Sequence, residues 1–194
     1  MTTTQTAPWS MPVIDISDLR GGDPVRRRDV GSEIRAACVD RGFMYIVGHG
    51  VPERLIDEVF AASRDFFALP LTAKAQYDAQ NAIARRGYFG VRTQAFEGGP
   101  ADLKESYFYG VELPPEDPRV VRRLYDHGPN QWPAELPGFR PVMEAYLAEM
   151  LALNGYLLDG LALSLGLPET YFDAFKRQPM CPVRLLYYPP PDPG

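Results

Sequence analysis

With 194 residues, 45% hydrophobic and 23% charged, the chain has the make-up of a folded protein and the length of one domain, or one domain and part of another. A net charge of −5 argues against a nucleic-acid surface, and two cysteines, Cys38 and Cys181, are too few for a disulfide framework. The Thr-rich start, Met1–Ala7, lacks the apolar core of a signal peptide, and the longest apolar stretch, 150–167, is interrupted by Asn154, Asp159 and three glycines. No membrane span is expected, and a cytoplasmic location follows by default.

In chain order, Val13–Ile16 reads as a short apolar strand after Pro12. Arg26–Arg41 reads as a helix with Val30, Ile34, Ala37 and Cys38 on one face, which predicts a buried thiol, and with Gly42 as its stop. Its basic run, Arg26 to Arg28, is expected to be a solvated helix start. Phe43–Val47 is a strand ending in the Gly48-His49-Gly50 turn. Pro52 then opens a helix whose buried face is Leu55, Ile56, Val59, Phe60, Ser63, Phe66 and Phe67. Leu71–Tyr77 fits a short helix. The stretch 78–99 lacks periodicity and is read as a loop carrying Arg85, Arg86, Gly87, Tyr88 and Phe89. Glu105–Tyr109 alternates and is read as a strand, and Glu112–Pro137 is a proline-rich excursion of the kind that usually serves function.

The longest helix is placed at Pro141–Leu165, with Leu147, Met150, Leu151, Leu158, Leu161 and Leu165 inward and Gly166 as its end. A shorter helix runs from Pro168 to Phe175. Val183–Tyr188 is a buried strand with no evident neighbour, and Pro189–Gly194 reads as a turn leading to a partner outside the chain. The pattern is that of a helical layer whose sheet is mostly missing.

Chemistry-bearing motifs are sparse. A two-histidine, one-carboxylate iron site needs two imidazoles and an acid converging on one side of the metal. The chain has only His49 and His127 and no His-x-Asp, so both read as turn and loop residues. No Cys-x-x-Cys, His-Glu-x-x-His, Walker loop or Gly-x-Ser-x-Gly occurs. Arg85 and Arg86, flanked by aromatics, are candidates to clamp a carboxylate bidentately. Tyr187 and Tyr188 fall on opposite faces of their strand; tyrosines there are more often both packing residues, the alternative being one toward a core and one toward a ligand pocket.

Six segments in order carry a family resemblance: Met11 to Ile16, Gly42 to Pro52, Phe66 to Pro70 with Lys74, Arg86 to Gly90, Asp102 to Tyr107, and Leu185 to Pro190. Together the chain resembles the N-terminal portion of an isopenicillin N synthase-like, iron(II)- and 2-oxoglutarate-dependent oxygenase. The resemblance implies an α+β fold. It would comprise an N-terminal helical and mixed layer plus the first strands of a distorted jelly roll (a double-stranded β-helix), incomplete here. Residues 1–10 would be a flexible leader and 11–125 the non-haem dioxygenase N-terminal domain. Residues 126–194 would be a long helix and first strand leading into the catalytic domain.

The family's His-x-Asp, distal His and Arg-x-Ser lie downstream of the Tyr-Tyr-Pro strand. The chain is therefore expected to hold no catalytic or metal-binding residue and to be inactive alone. Iron(II), 2-oxoglutarate, dioxygen and a small organic substrate would belong to the complete enzyme, with no nucleic acid or membrane partner. Two roles carry over. Tyr188 aligns with the tyrosine that bonds 2-oxoglutarate in relatives or, in isopenicillin N synthase itself, the substrate carboxylate. Arg85, with Phe89, aligns with substrate-contacting positions. Leu186 stands where several plant members have a cosubstrate-binding Asn, so that contact is not expected here. The alternative is a naturally shortened, non-catalytic binding or dimerisation module.

Overall fold

The computed structural model describes residues 10–93 and 102–190. The expected leader, apart from residue 10, the last part of the 78–99 loop and the end of the terminal turn lie outside these residues. The chain divides into two compact units, one comprising 1–51 and 152–178 and the other 52–151 and 179–194.

In the first unit, β1 (Val13–Asp15) pairs in parallel with β2 (Tyr45–Val47), Ile14 opposite Ile46. Between them runs α1 (Pro24–Asp40). Asp23 caps it by accepting from the Val25 and Arg26 amides at 2.8 and 3.2 Å, and Pro24 supplies a preset φ in the first turn. Gly42, at φ +77°, ends the helix as expected, and its amide returns to the Ala37 carbonyl at 3.0 Å. Val30, Ile34 and Ala37 are buried with Ile14, Ile16 and Leu19, and Leu157 and Leu163 pack against this cluster.

Two expectations fail here. Cys38 is exposed, because it lies in the last turn, outside the stripe that Val30, Ile34 and Ala37 bury. The basic run is not uniformly solvated. Arg27 is folded inward, donating to the Leu19 carbonyl and to Glu169, with Asp159 3.8 Å away.

The second unit holds the larger core. It contains α2 (Glu53–Ala68), the one-turn α3 (Leu71–Lys74), β3 (Gly87–Phe89), β4 (Glu105–Tyr109), the one-turn α4 (Pro118–Val121) and β5 (Val183–Tyr187). The helix α5 (Phe139–Ser164) gives its N-terminal half to this unit and its C-terminal half to the first. Gly166, at φ +71°, follows that helix as expected. The C-terminal short helix is a 3-10 turn, Glu169–Phe172, followed by α6 (Asp173–Arg177).

β3, β4 and β5 form an antiparallel sheet in that order. The strand read as lacking a neighbour therefore has one: Tyr109, Tyr107 and Glu105 face Val183, Leu185 and Tyr187 across the ladder. That pairing joins residues about 80 apart and has no local signature. β3 was read as loop because three residues cannot display a period. On α2, Val59, Phe66 and Phe67 are buried as expected, but Phe60 is 62% exposed. On α5, Phe139, Met143 and Leu147 are buried while Leu161 and Leu165 are exposed, so the inner stripe begins earlier than the leucine pattern indicated.

The sheet packs one face onto these helices. Phe66 sits at the centre, with ring centroids 4.7 Å from Tyr107, 5.4 Å from Phe67, 5.5 Å from Phe139 and 6.2 Å from Tyr88. Burying a ring of this size stabilises by roughly 2–3 kcal/mol, before about 0.5–1.5 kcal/mol for each well-placed aromatic pair. Beneath the same face lies a buried charge pair. Lys74 donates to Glu105 Oε2 at 2.5 Å and to the Phe67 carbonyl at 2.9 Å, and the Tyr88 hydroxyl donates to Glu105 Oε2 at 2.9 Å. Burial, and then Glu105, push the Tyr88 hydroxyl well above its ordinary pKa, so it stays a proton donor.

Candidate functional site

Strand alternation sorts the sheet residues onto two faces. Tyr88, Glu105, Tyr107, Tyr109, Val183, Leu185 and Tyr187 face the helices, and Tyr187 stacks on Phe67 at 5.5 Å. Phe89, Ser106, Phe108, Arg184 and Leu186 occupy the other face. Tyr188 follows in that alternation and is 64% exposed. The two adjacent tyrosines thus take opposite faces, as strand alternation predicts, but Tyr187 is 40% exposed despite stacking on Phe67, and Leu185 alone is buried in the strand read as buried.

On the second face the Phe89 and Phe108 rings meet edge to face at 5.1 Å, and the Arg184 guanidinium lies 4.7 Å over Phe108. Both phenylalanines line a cavity of about 450 Å³, with Ala84, Arg85, Arg123 and Asp126 among its other walls. A volume of that size suits a small organic ligand. The structure brings Arg85 and Phe89 together here. Tyr188 does not line the cavity; it lies one position beyond the Phe89–Ser106–Leu186 row on the same sheet face.

The neighbouring arginines have opposite fates. Arg86 is 2% exposed. It donates to the carbonyls of Val111 (2.8 Å), Gly128 (2.9 Å) and Asp126 (2.6 Å), to Asn130 Oδ1 (3.1 Å) and to Asp126 Oδ1 (3.3 Å). All of its binding capacity is spent inside the protein, so it is not a carboxylate clamp. Arg85 is exposed, and its side chain makes no hydrogen bond or ion pair among the described residues.

The backbone turns at Arg85, φ 54°, and again at Gly87. Its φ is +121°, and a Cβ there would lie 2.2 Å from the Tyr77 carbonyl oxygen, so only glycine fits. The amide of Gln131 holds the same bend, donating to the carbonyls of Tyr77 (3.0 Å) and Arg86 (2.7 Å).

Arg85 has φ 54°, Arg123 φ 53° and Asp126 φ 56°. A left-handed backbone costs a non-glycine residue about 1–2 kcal/mol. Three of the four non-glycine residues with positive φ among those described therefore line one cavity. Phe108, Arg123 and Asp126 are not legible as site residues in the sequence: Phe108 lies in β4 just past the Asp102–Tyr107 segment, and the loop holding Arg123 and Asp126 carries no motif and reaches the cavity only in the tertiary structure. Asp126 Oδ2 is buried without a hydrogen-bond partner in the structure.

Both histidines make local contacts with the backbone. His49 Nδ1 accepts from the Val51 amide at 3.1 Å, and His127 Nδ1 lies 2.6 Å from the Tyr125 carbonyl. Burial, followed by the charge of Asp126, pushes the Cys181 thiol up, away from an activated nucleophile.

Residues 11–135 match the family described as non-haem dioxygenase in morphine synthesis N-terminal. The 2-oxoglutarate-dependent dioxygenase citB of Monascus ruber is 39% identical over 187 residues, covering 93% of this chain and 56% of that protein. Clavatol oxidase claD of Penicillium crustosum is 36% identical over 194 residues, covering 92% and 57%. A full-length Neurospora crassa protein, solved in complex with alpha-KG and thymine, superposes with a TM-score of 0.75 at 28% identity, covering 92% of this chain and 55% of that one. The chain thus spans little more than half the length of the relatives it matches. On residues 11–135 and these likenesses, it belongs to the non-haem dioxygenase N-terminal family.

Proposed function

We propose that this chain supplies the helical cover and the first wall of the substrate chamber in an iron(II)- and 2-oxoglutarate-dependent oxygenase that oxidises a small organic molecule. The observation that carries the reading is the open face of the β3–β4–β5 sheet. It presents Phe89 and Phe108 beside an unpaired Arg85, with Tyr188 further along the same face. The sheet belongs to a jelly roll that other strands complete, with residues 126–194 leading into the catalytic domain.

The residues present do not fit the iron. Among the described residues no group of three histidine, cysteine, aspartate or glutamate side chains is placed to hold a metal ion. No His-x-Asp and no Arg-x-Ser occurs in the sequence. The metal ligands in this reading come from other residues of the complete protein, and residues 1–194 alone are inactive.

This chain's own share is binding and orientation. The Tyr188 hydroxyl donates to a carboxylate oxygen of 2-oxoglutarate, Phe89 packs against the apolar body of the substrate, and Arg85 meets an anionic group on it. The side chains on the core face keep water from entering behind the sheet.

The test is made on the protein at its natural length, supplied with iron(II) and 2-oxoglutarate. Succinate formation that depends on iron is expected. Absence of 2-oxoglutarate turnover across a panel of small aromatic and heterocyclic acids, with the protein folded, would contradict the reading.

A further inference from the structure

We propose that Arg123 is a second cation of the chamber and that, with Arg85, it selects a substrate carrying a carboxylate on a small flat apolar body. The inference rests on the open face being the chamber wall and adds the class of substrate. Arg85 and Arg123 both line the cavity, and neither side chain has a hydrogen bond or ion pair among the described residues. Elsewhere in the same loop Arg119 is paired with Asp117 at 2.8 Å, and Arg86 is fully engaged. Two guanidiniums without a protein partner thus line one cavity.

Among the described residues, the only acid on that wall is Asp126, and its Oδ1 already faces the buried Arg86 guanidinium. The local charge is positive although the chain as a whole carries −5. Phe89 and Phe108, whose rings meet edge to face, line the same cavity from the sheet. An anionic head with a flat apolar body satisfies both: its carboxylate meets the two planar forks, and its ring lies on the phenylalanines. A neutral ligand of the same shape leaves both cations unanswered.

The backbone at Arg123 has a local cause, which makes the side chain replaceable without loss of the turn. Arg123 sits at φ 53°, where asparagine or glycine is the easier residue. That conformation is the cap that ends α4: the Arg123 amide donates to the Val120 carbonyl at 2.9 Å and the Leu124 amide to the Arg119 carbonyl at 3.0 Å, while the Arg123 side chain makes no hydrogen bond or ion pair among the described residues. The cap fixes the backbone and leaves the guanidinium to the cavity.

The experiment measures benzoate and benzamide binding by calorimetry to the protein at its natural length, for wild type, Arg123→Gln, Arg123→Lys and Arg123→Asn. Benzoate should bind at least tenfold tighter than benzamide. Arg123→Gln should lower benzoate affinity about tenfold and leave benzamide unmoved, with Arg123→Lys between them. Arg123→Asn should lose benzoate affinity while its Tm stays level or rises, the opposite of what loss of a structural arginine does. Equal benzoate binding by wild type and Arg123→Gln, including none to either, overturns the proposal, as does a fall in Tm for Arg123→Asn. Binding of 2-oxoglutarate with iron(II) is read on the same preparations. Its absence overturns the oxygenase reading alone, and the benzoate comparison still decides the role of Arg123.

Discussion

The two faces of the β3–β4–β5 sheet use the same residue types to different ends. On the closed face, tyrosines and phenylalanines are buried around Phe66, and the charge pair there, Lys74 with Glu105, is hydrogen-bonded on both sides. On the open face, Phe89 and Phe108 meet each other in a cavity shared with Arg85 and Arg123, whose side chains make no hydrogen bond or ion pair among the described residues. An aromatic ring or an arginine is therefore not structural or functional by type. Its role is set by whether the protein itself answers its surface and charge. The contrast is sharpest at Arg86 and Arg85, which are adjacent in sequence.

That contrast can be broken most severely at Arg86. Arg86→Ala strands the Val111 and Gly128 carbonyls and leaves Asp126 buried without its cation, so a loss of about 3–5 kcal/mol in urea unfolding is expected. Arg86→Lys should recover little, because a point charge cannot reach five acceptors. An Arg86→Ala protein of unchanged stability would remove the structural half of the comparison.

The next largest effect is expected at the buried pair. Lys74→Ala leaves Glu105 beneath the sheet without its charge partner and should cost about 3 kcal/mol. Lys74→Met combined with Glu105→Leu should cost much less than the two single changes added together, since it removes both charges. A double-mutant cycle by denaturant unfolding reads the difference.

A smaller, pH-dependent effect is expected at Asp117, away from both faces. Its hydrogen bonds from Arg119, side chain and backbone, hold the carboxyl down at about 2, below the ordinary 3.8. The folded value lies below the unfolded one, so the stabilisation is complete above the unfolded value and is lost as pH falls through about 2. Asp117→Asn should therefore differ from wild type near neutrality, and the difference should close between about pH 4 and 2 in acid-unfolding curves.

Part of this was legible in the sequence, where local chemistry dictates structure. Pro52 and Gly42 mark a helix start and a helix end because each fixes a backbone conformation by itself. The 3.6-residue recurrence of Val59, Phe66 and Phe67 marks a buried stripe. The exposure of Phe60 and Cys38 was not legible, because a residue at the margin of a stripe is buried only if a neighbour reaches it. Nor was the pairing of β5 with β4, which is non-local. At the site, Arg85 and Phe89 were named through family resemblance, whereas Arg123 came into view only when a loop about 40 residues away in sequence was seen to face the same cavity.

The central claim is that the open face binds ligands and the closed face holds the fold together. Tyr188→Phe tests it most directly, because it deletes one hydroxyl from an open-face residue next to Tyr187, which stacks on Phe67 on the closed face. In the natural-length protein, the KM for 2-oxoglutarate should rise about five- to tenfold, with Tm unchanged. An unchanged KM, or a fall in Tm like that of a core substitution, would contradict the account.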